Sequence, residues 1–361
     1  MVQTTAASAT VDETKATMTK HDDSGNAYIN MQITNQKQFM LPMTGGAGNY
    51  LLIIAGVVVA GCGILILNKT EDDHKDKMKQ KIIPILVILA GFFLLSYPFV
   101  SNYLFEKSAG STVESYQEKA AGMDQAIIKK VMDEAKQYNG GLLRSSIQLT
   151  DPFKEKRLDG ETVHYNRILN IDGSSIMGYL KIPCISINMP IYHGTSGTVL
   201  EHGIGHLAAS SFPIGGKDTH AVLTGHTGLS SAKIFTDLTE MKKGDFFFIH
   251  VLDKKLAYRV DQITVVEPQD TKELQIMEGK DLVTLVTCTP YGVNDKRLLV
   301  RGVRTAYHAK EEEIRARNHH SQWMEVYKRA IFAGLLIICV LIAARKVYEK
   351  MKRKSGERRY G

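Results

Sequence analysis

Two uncharged apolar runs, separated by a short lysine-rich loop, constrain this chain more than any other feature. Tyr50 to Leu67 (YLLIIAGVVVAGCGILIL) and Ile82 to Val100 (IIPILVILAGFFLLSYPFV) carry no Asp, Glu, Lys or Arg, and each approaches the ~20 residues that cross a hydrocarbon core of ~30 Å. A third run, Ala330 to Ala344, is shorter, but the stems of Lys328, Arg329 and Arg345 can snorkel and extend it. Membrane-spanning helices are therefore expected over residues 49–67, 82–104 and 330–344. Orientation follows from the lysines: Lys69, Lys75, Lys77, Lys79 and Lys81 fill the loop 68–81, and a second basic cluster fills the tail 345–361. The positive-inside rule places both in the cytoplasm. Residues 1–48 and the region from about Ser101 to Lys328 then lie outside, giving a multi-pass protein of the cell membrane, in contact with its lipid. No segment with a charged n-region precedes the first run, so the N-terminal tail is expected to cross without a signal peptide.

Composition narrows the function. With 44% hydrophobic and 23% charged residues over 361 positions, the chain has enough apolar content for a sizeable core, which excludes a disordered tail. The 45 Lys+Arg outnumber the 38 Asp+Glu by 7. Much of that excess sits between Arg345 and Arg359, so no basic domain face for nucleic acid is indicated. The four cysteines, Cys62, Cys184, Cys288 and Cys339, show neither CxxC pairing nor zinc-like spacing with His. Neither a disulfide scaffold, a metal nor another cofactor is expected. Cys62 and Cys339 lie inside apolar runs, where a thiol behaves as a small hydrophobe.

Between the second and third runs the periodicity changes. From Val113 to Tyr138 apolar residues recur at helical spacing (Met123, Ile127, Val131, Ala135, Tyr138), and Asn139-Gly140-Gly141 reads as a stop. From Ile176 onward seven short strand signals follow: IMGYLKI, INMPIY, HAVLTGH, DFFFIHV, KLAYRVDQITVV, DLVTLVTC and RLLVRGV. With one internal helix expected over Ser231 to Met241, this pattern predicts a mainly β fold, a closed or nearly closed barrel over 176–310. An amphipathic helix with its following segment precedes it over 105–175, and a linker over 311–329 follows.

Cys288 ends a strand and faces a loop, Pro290-Tyr291-Gly292, while Cys184, between Pro183 and Ile185, reads as core. Thr224-Gly225-His226-Thr227-Gly228 puts an imidazole on a turn directly after a strand. Arg297 opens the strand that follows Cys288, so a turn can return its guanidinium beside the thiol. Together these are a candidate nucleophile, proton-transfer group and oxyanion donor. His202 and His206 are four apart, but the glycines between them argue against a helical metal pair. Glu201 reads as a solvated edge, Phe246 to Phe248 as core, and His319-His320 as a linker.

The run Thr284-Leu285-Val286-Thr287-Cys288-Thr289-Pro290-Tyr291-Gly292, followed by Arg297-Leu298-Leu299-Val300-Arg301-Gly302, resembles the active-site signature of class C sortases. These are the pilus-assembling transpeptidases of Gram-positive bacteria. His220 to His226 fits the same family's histidine segment, and Asp151-Pro152-Phe153 resembles its lid. The resemblance covers about Ile82 to the C-terminus. It implies that Cys288 attacks the Thr–Gly carbonyl of an LPXTG-type sorting signal and that His226 moves the protons. It further implies that Arg297 holds the substrate and offsets oxyanion charge, and that Asp151 and Phe153 cover the site until substrate displaces them. The implied partners are pilin subunits carrying such signals and an acceptor lysine.

The N-terminal segment departs from that pattern. Leu41-Pro42-Met43-Thr44-Gly45-Gly46, then an apolar run, then lysines, has the three-part arrangement of a sorting signal, and Ile29 to Phe39 resembles the last strand of a pilin. The chain thus resembles a pilin C-terminus joined to a sortase, by a true fusion or by gene prediction, and Leu41 to Gly45 becomes a candidate self-substrate. Other readings are a housekeeping-type sortase that anchors proteins to the cell wall, an inactive fusion product, a cysteine protease, and a surface protein anchored through Thr44. The papain-like signature around Cys is absent, and Cys288 follows His226, against the papain order. Anchoring through Thr44 would display only the first forty-four residues.

Overall fold

The computed structural model describes residues 17–21, 27–30, 47–69, 77–142, 149–153, 162–229, 232–313 and 322–357. The chain divides into two compact units, Met1–Met43 and Thr44–Gly361. In the first, β1 (Thr17–His21) and β2 (Ala27–Asn30) form an antiparallel hairpin with Thr17 opposite Asn30. Ile29 and Asn30 end β2, while the rest of the pilin-like strand and Leu41 to Gly45 lie outside the described residues.

The second unit opens with three helices: α1 (Ala47–Lys69), α2 (Lys77–Ala121) and α3 (Gln125–Leu142). A single turn, α4 (Thr162–Tyr165), leads to the barrel strands β3 (Ile176–Ile182) and β4 (Ile187–His193). Then come α5 (Gly197–His202), β5 (Ile204–His206), β6 (Thr219–Thr224), β7 (Phe246–Val251), β8 (Lys254–Val266), β9 (Asp281–Thr289) and β10 (Lys296–Thr305). A short α6 (Ala309–Glu312) and the long α7 (Gln322–Glu357) finish the described chain. Eight strands close in the order β10-β8-β7-β3-β4-β5-β6-β9, and only β4/β5 and β6/β9 pair in parallel. Closure removes free sheet edges. The strand signals account for seven of these eight. The eighth, β5, has three residues, too few for an alternating pattern to register.

The barrel core is aliphatic and aromatic, with Phe247, Ile249, Tyr258, Val283, Leu285 and Val300 among its fully buried members. All six residues of β6 are buried. That strand is covered on both faces: Leu223 joins the main core, while Val222 packs outside it with Leu207, Val286, Leu299 and Leu149. This second, smaller cluster lies beneath the segment that carries the expected lid.

Among the described residues, two helical stretches are long and apolar enough to cross a membrane, Ile82–Ala121 and Met324–Ala344, and Tyr50–Ile66 is a shorter apolar helix. Helix α2 runs without interruption from its apolar half onto the barrel, although Pro84 and Pro98 lie inside it. At its far end Val113, Tyr116 and Ala120 pack against Ile176 and Tyr179. The Tyr116 hydroxyl donates to the Met177 carbonyl (3.1 Å) and accepts from the Leu252 amide (3.0 Å).

Three expectations are corrected here. The amphipathic helix expected from Val113 to Tyr138 is two helices, broken at Gly122-Met123-Asp124, where the Asp124 carboxylate accepts the Ala126 amide at 2.7 Å and satisfies a free N-terminal donor of α3. The buried face of α3 is Ile128, Met132, Ala135, Asn139 and Leu142, whereas Ile127 is exposed. Asn139-Gly140-Gly141 does not stop the helix, because Asn139 itself is buried and doubly bonded to Phe212: its Nδ2 donates to the carbonyl (3.1 Å) and its Oδ1 accepts from the amide (2.7 Å). The third correction concerns Ser231 to Met241. Its described part contains a 3-10 turn, Thr236–Glu240, in place of the expected helix, and Ile234 and Phe235 before it are drawn into the core.

The Asn139 clamp yields a stability expectation. Asn139→Ala leaves the buried Phe212 amide unpaired, while the Phe212 carbonyl keeps the Ile214 amide (2.8 Å), and is expected to lower unfolding free energy by about 1–3 kcal/mol. Denaturant unfolding of the detergent-solubilised chain checks it, and an unchanged midpoint contradicts the clamp.

Candidate active site

Strand pairing alone brings the sequence-nominated residues together. Parallel β6 and β9 set Thr224 opposite Val286, so His226 and Cys288, each two residues further on, emerge at the same rim of the barrel. Antiparallel β9 and β10 set Arg297 directly opposite Cys288. A cross-strand pair holds Cβ atoms about 4.5–5.5 Å apart, within reach of a guanidinium. The rim is tied down by side chains that the sequence alone did not single out. Thr287 Oγ1 donates to the Gly225 carbonyl (2.7 Å) and the Gly225 amide to the Val286 carbonyl (3.1 Å). Gly225 is required by close approach, since a Cβ there would stand 2.6 Å from the Phe235 ring. The Phe235 amide in turn donates to the His226 carbonyl (3.0 Å), which fixes the backbone on which the imidazole sits.

Asp151 and Phe153 lie over this rim. Arg297 makes a bidentate pair with Asp151, Nε to Oδ1 at 2.9 Å and Nη2 to Oδ2 at 2.8 Å, with both side chains buried. Its Nη1 donates to the carbonyls of Lys296 (3.1 Å) and Asn294 (3.3 Å), which fixes the fork's plane. The Phe153 ring stacks over the guanidinium at 4.8 Å and stands 5.7 Å from the His226 ring. Leu149 anchors the same segment in the smaller cluster, and its carbonyl accepts from Thr271 Oγ1 (3.1 Å). Asp151, Phe153, His226, Cys288 and Arg297 are thus brought together at one rim. The anchors Leu149 and Thr271 carry no chemistry and gave no sequence signal.

Electrostatically this is a resting site. Burial pushes the Cys288 thiol up from 9.0 to about 11, with Arg297 opposing the rise and the Asp151 carboxylate adding to it. Burial lowers the His226 pKa, partly offset by the negative charge of Glu201. Thiol and imidazole are therefore both neutral near pH 7, and the Arg297 guanidinium beside them is paired with the Asp151 carboxylate. A thiol, an imidazole and a guanidinium are the groups that nucleophilic acyl chemistry uses as nucleophile, proton carrier and oxyanion donor.

The remaining candidates fall outside it. Cys184 sits on a 3-10 turn, packed against the core, with its Sγ 3.8 Å from Asp245 Oδ2. His202 lies on α5 and engages the Thr198 carbonyl (2.7 Å). His206 lies on β5, fully buried between the Tyr165 hydroxyl (2.8 Å) and the Ser211 carbonyl (2.8 Å), and burial pushes its pKa down to about 3. The two imidazoles therefore do not share a face. Among the described residues no group of three or more His, Cys, Asp or Glu side chains is placed to hold a metal ion.

Comparison with known proteins gives the family of the barrel that carries this rim. The family model described as "Sortase domain" matches residues 180–305. Sortase C1 of Streptococcus agalactiae superposes with a TM-score of 0.51 at 45% identity, covering 55% of this chain and 100% of that one. Sortase C of Streptococcus pneumoniae, in a structure reported for its insights into catalysis and pilin substrate specificity, gives 0.50 at 41% identity, covering 55% and 97%. Sortase A of Bacillus anthracis is 25% identical over 221 residues, 61% of this chain and 92% of its own length.

Proposed function

This chain belongs to the sortase family of cysteine transpeptidases, and from that premise we propose that it assembles pili, cutting LPXTG-type signals between Thr and Gly and joining pilin subunits through lysine isopeptide bonds. The observation that carries this reading is the Asp151–Arg297 pair with Phe153 stacked on it, a resident cover on the catalytic rim of the kind that class C enzymes carry. The class C neighbours support it as well.

In the proposed reaction the cover lifts and the signal's Thr carbonyl enters beside Cys288. The thiol proton passes to His226 as Sγ attacks the carbonyl carbon, and Arg297, released from Asp151, offsets the charge on the tetrahedral oxygen. Collapse breaks the C–N bond, and His226 returns the proton to the leaving glycine amine. A pilin lysine amine then attacks the thioester, the C–S bond breaks as the C–N bond forms, and the amine's proton passes through His226 to the departing Cys288 sulfur, which restores the thiol. The lysine patterns around α1 and α7 support a multi-pass membrane topology with the barrel outside the cell. The test is to supply the purified full chain with an LPXTG peptide and either a pilin lysine or a cell-wall amine. Ligation to the lysine is the expected result. Ligation only to the wall amine favours housekeeping-type anchoring, and no turnover at all favours an inactive fusion.

Leu41 to Gly45 is read as a signal that this same site can cut. In membranes that make all 361 residues, a product beginning at Gly45 is expected, and it is expected to vanish in Cys288→Ala. Full-length protein persisting equally in both would show that the signal is inert.

A further inference from the structure

Helix α1 is seated in a groove made for close backbone approach. On the α2 side, a Cβ at Gly91 would lie 2.5 Å from the Ala60 amide nitrogen and 2.7 Å from the Gly56 carbonyl, and one at Gly63 would lie 2.7 Å from Ile88 Cγ1. On the α7 side, a Cβ at Gly334 would stand 2.6 Å from Val57 Cβ, and Gly61 is met directly by the Ile338 side chain. In lipid, where apolar surface gives no drive to associate, such small-residue contacts are what hold helices together. The pairing also fixes direction. Gly56 meets Leu95 whereas Gly63 meets Pro84 and Ile88, so α1 and α2 are antiparallel and the N-terminal end of α1 lies toward the end of α2 that carries the barrel. Helix α7 begins on that same side, where Phe99 and Tyr327 pack edge to face and the Tyr327 hydroxyl donates to the Leu95 carbonyl (3.0 Å).

The segment in this groove is no ordinary third helix. It follows directly on Leu41-Pro42-Met43-Thr44-Gly45-Gly46 and ends in lysines, the arrangement of a sortase substrate's tail, while α2 and α7 belong to the sortase part. We propose that α2 and α7 form an intramembrane receptor for the apolar helix of a sorting signal, occupied in this chain by α1. The equivalent helix of an incoming pilin with a small-residue face takes the same groove by displacing α1. Such a site recognises substrate through the span behind the scissile bond, in addition to the pentapeptide. It also delivers the Thr–Gly bond to the barrel side of the membrane. The proposal rests on reading residues 41–45 as a sorting signal.

The test uses the full chain in phospholipid vesicles with an amine acceptor and three probes. Two are membrane reporters carrying LPMTG, followed either by residues 46–81 of this chain or by a polyleucine helix of equal length with the same flanks. The third is a soluble LPMTG peptide. The expected result is that the native-span reporter is cut about tenfold faster than the polyleucine one, and that the combined Gly91→Leu and Gly334→Leu variant brings that ratio close to one. Equal rates for both reporters with the wild-type chain overturn the proposal and leave the substrate reading intact. Cleavage of the soluble peptide alone also overturns it, since the groove is then a fixed partner of α1. Failure to cut any of the three overturns the substrate reading and the receptor with it. Should the double variant fail to fold, the wild-type ratio alone decides.

Discussion

Cys288→Ala is expected to abolish the thioacyl intermediate and lower LPXTG cleavage by roughly 10⁴-fold or more, because the variant lacks the sulfur that forms the acyl bond. The barrel holds a second cysteine in a different setting. Cys184 packs on a 3-10 turn remote in sequence from the His226 turn and the Asp151 cover. Cys184→Ala is thus expected to leave turnover near wild type and to cost stability only on the scale of a small, partly buried truncation, about 1 kcal/mol. Intact-mass detection of the acyl enzyme and peptide cleavage read both variants. Equal losses from the two, with the barrel folded, would remove Cys288 from its assigned role.

Freeing the rim should have the opposite sign. In the covered state the thiol sits at about 11, raised by burial and by the Asp151 carboxylate. Asp151→Ala with Phe153→Ala admits water, removes that carboxylate and leaves Arg297 unneutralised beside the sulfur. All three changes favour thiolate. A return from about 11 to the ordinary 9.0 multiplies the thiolate fraction near pH 7 by about a hundred. Alkylation of Cys288 by a small thiol reagent is expected to accelerate by about that factor, with the midpoint of its pH profile moving to lower pH. The same variant loses a buried bidentate ion pair and its stacked ring, so stability should fall by up to about 3 kcal/mol. An unchanged labelling rate and midpoint would make Asp151-Pro152-Phe153 an ordinary turn.

The catalytic rim was legible in the sequence because its members stand next to strong local signals. Cys288 lies near the end of a continuously buried strand, His226 follows another strand closely, and Arg297 stands at the start of a third, so strand pairing had little choice but to gather them. Asp151 and Phe153 were reached only through family resemblance. No periodicity marks them, and the partners that hold them, Leu149 and Thr271, belong to segments 122 residues apart. The helical region misled for a physical reason. Apolar spacing runs through Gly122 to Asp124 without a break in phase large enough to notice, yet Asp124 caps a new helix there. Asn139 read as a terminator because asparagine usually leaves helices, and only the tertiary bonds to Phe212 turn it into a core residue. Strand β5 is simply too short to speak for itself.

The uninterrupted course of α2 has a mechanical meaning. At about 1.5 Å per residue, its 45 residues make a strut of about 67 Å, with its outer end locked to the barrel through Val113 and Tyr116. Asn102, along the way, accepts the Lys233 amide at 2.9 Å. In the assembly reaction proposed above, a growing fibre hangs by a thioester from Cys288 while shear from the surroundings pulls on it. That load enters β9, which is hydrogen-bonded on both sides by β6 and β10. It then passes through a closed barrel into α2, whose Val113, Tyr116 and Ala120 pack on Ile176 and Tyr179 and whose Tyr116 hydroxyl bonds to Met177 and Leu252. With α2 in the bilayer as proposed above, these side-chain contacts would carry the tension to the membrane, and the enzyme would serve as the fibre's temporary mooring.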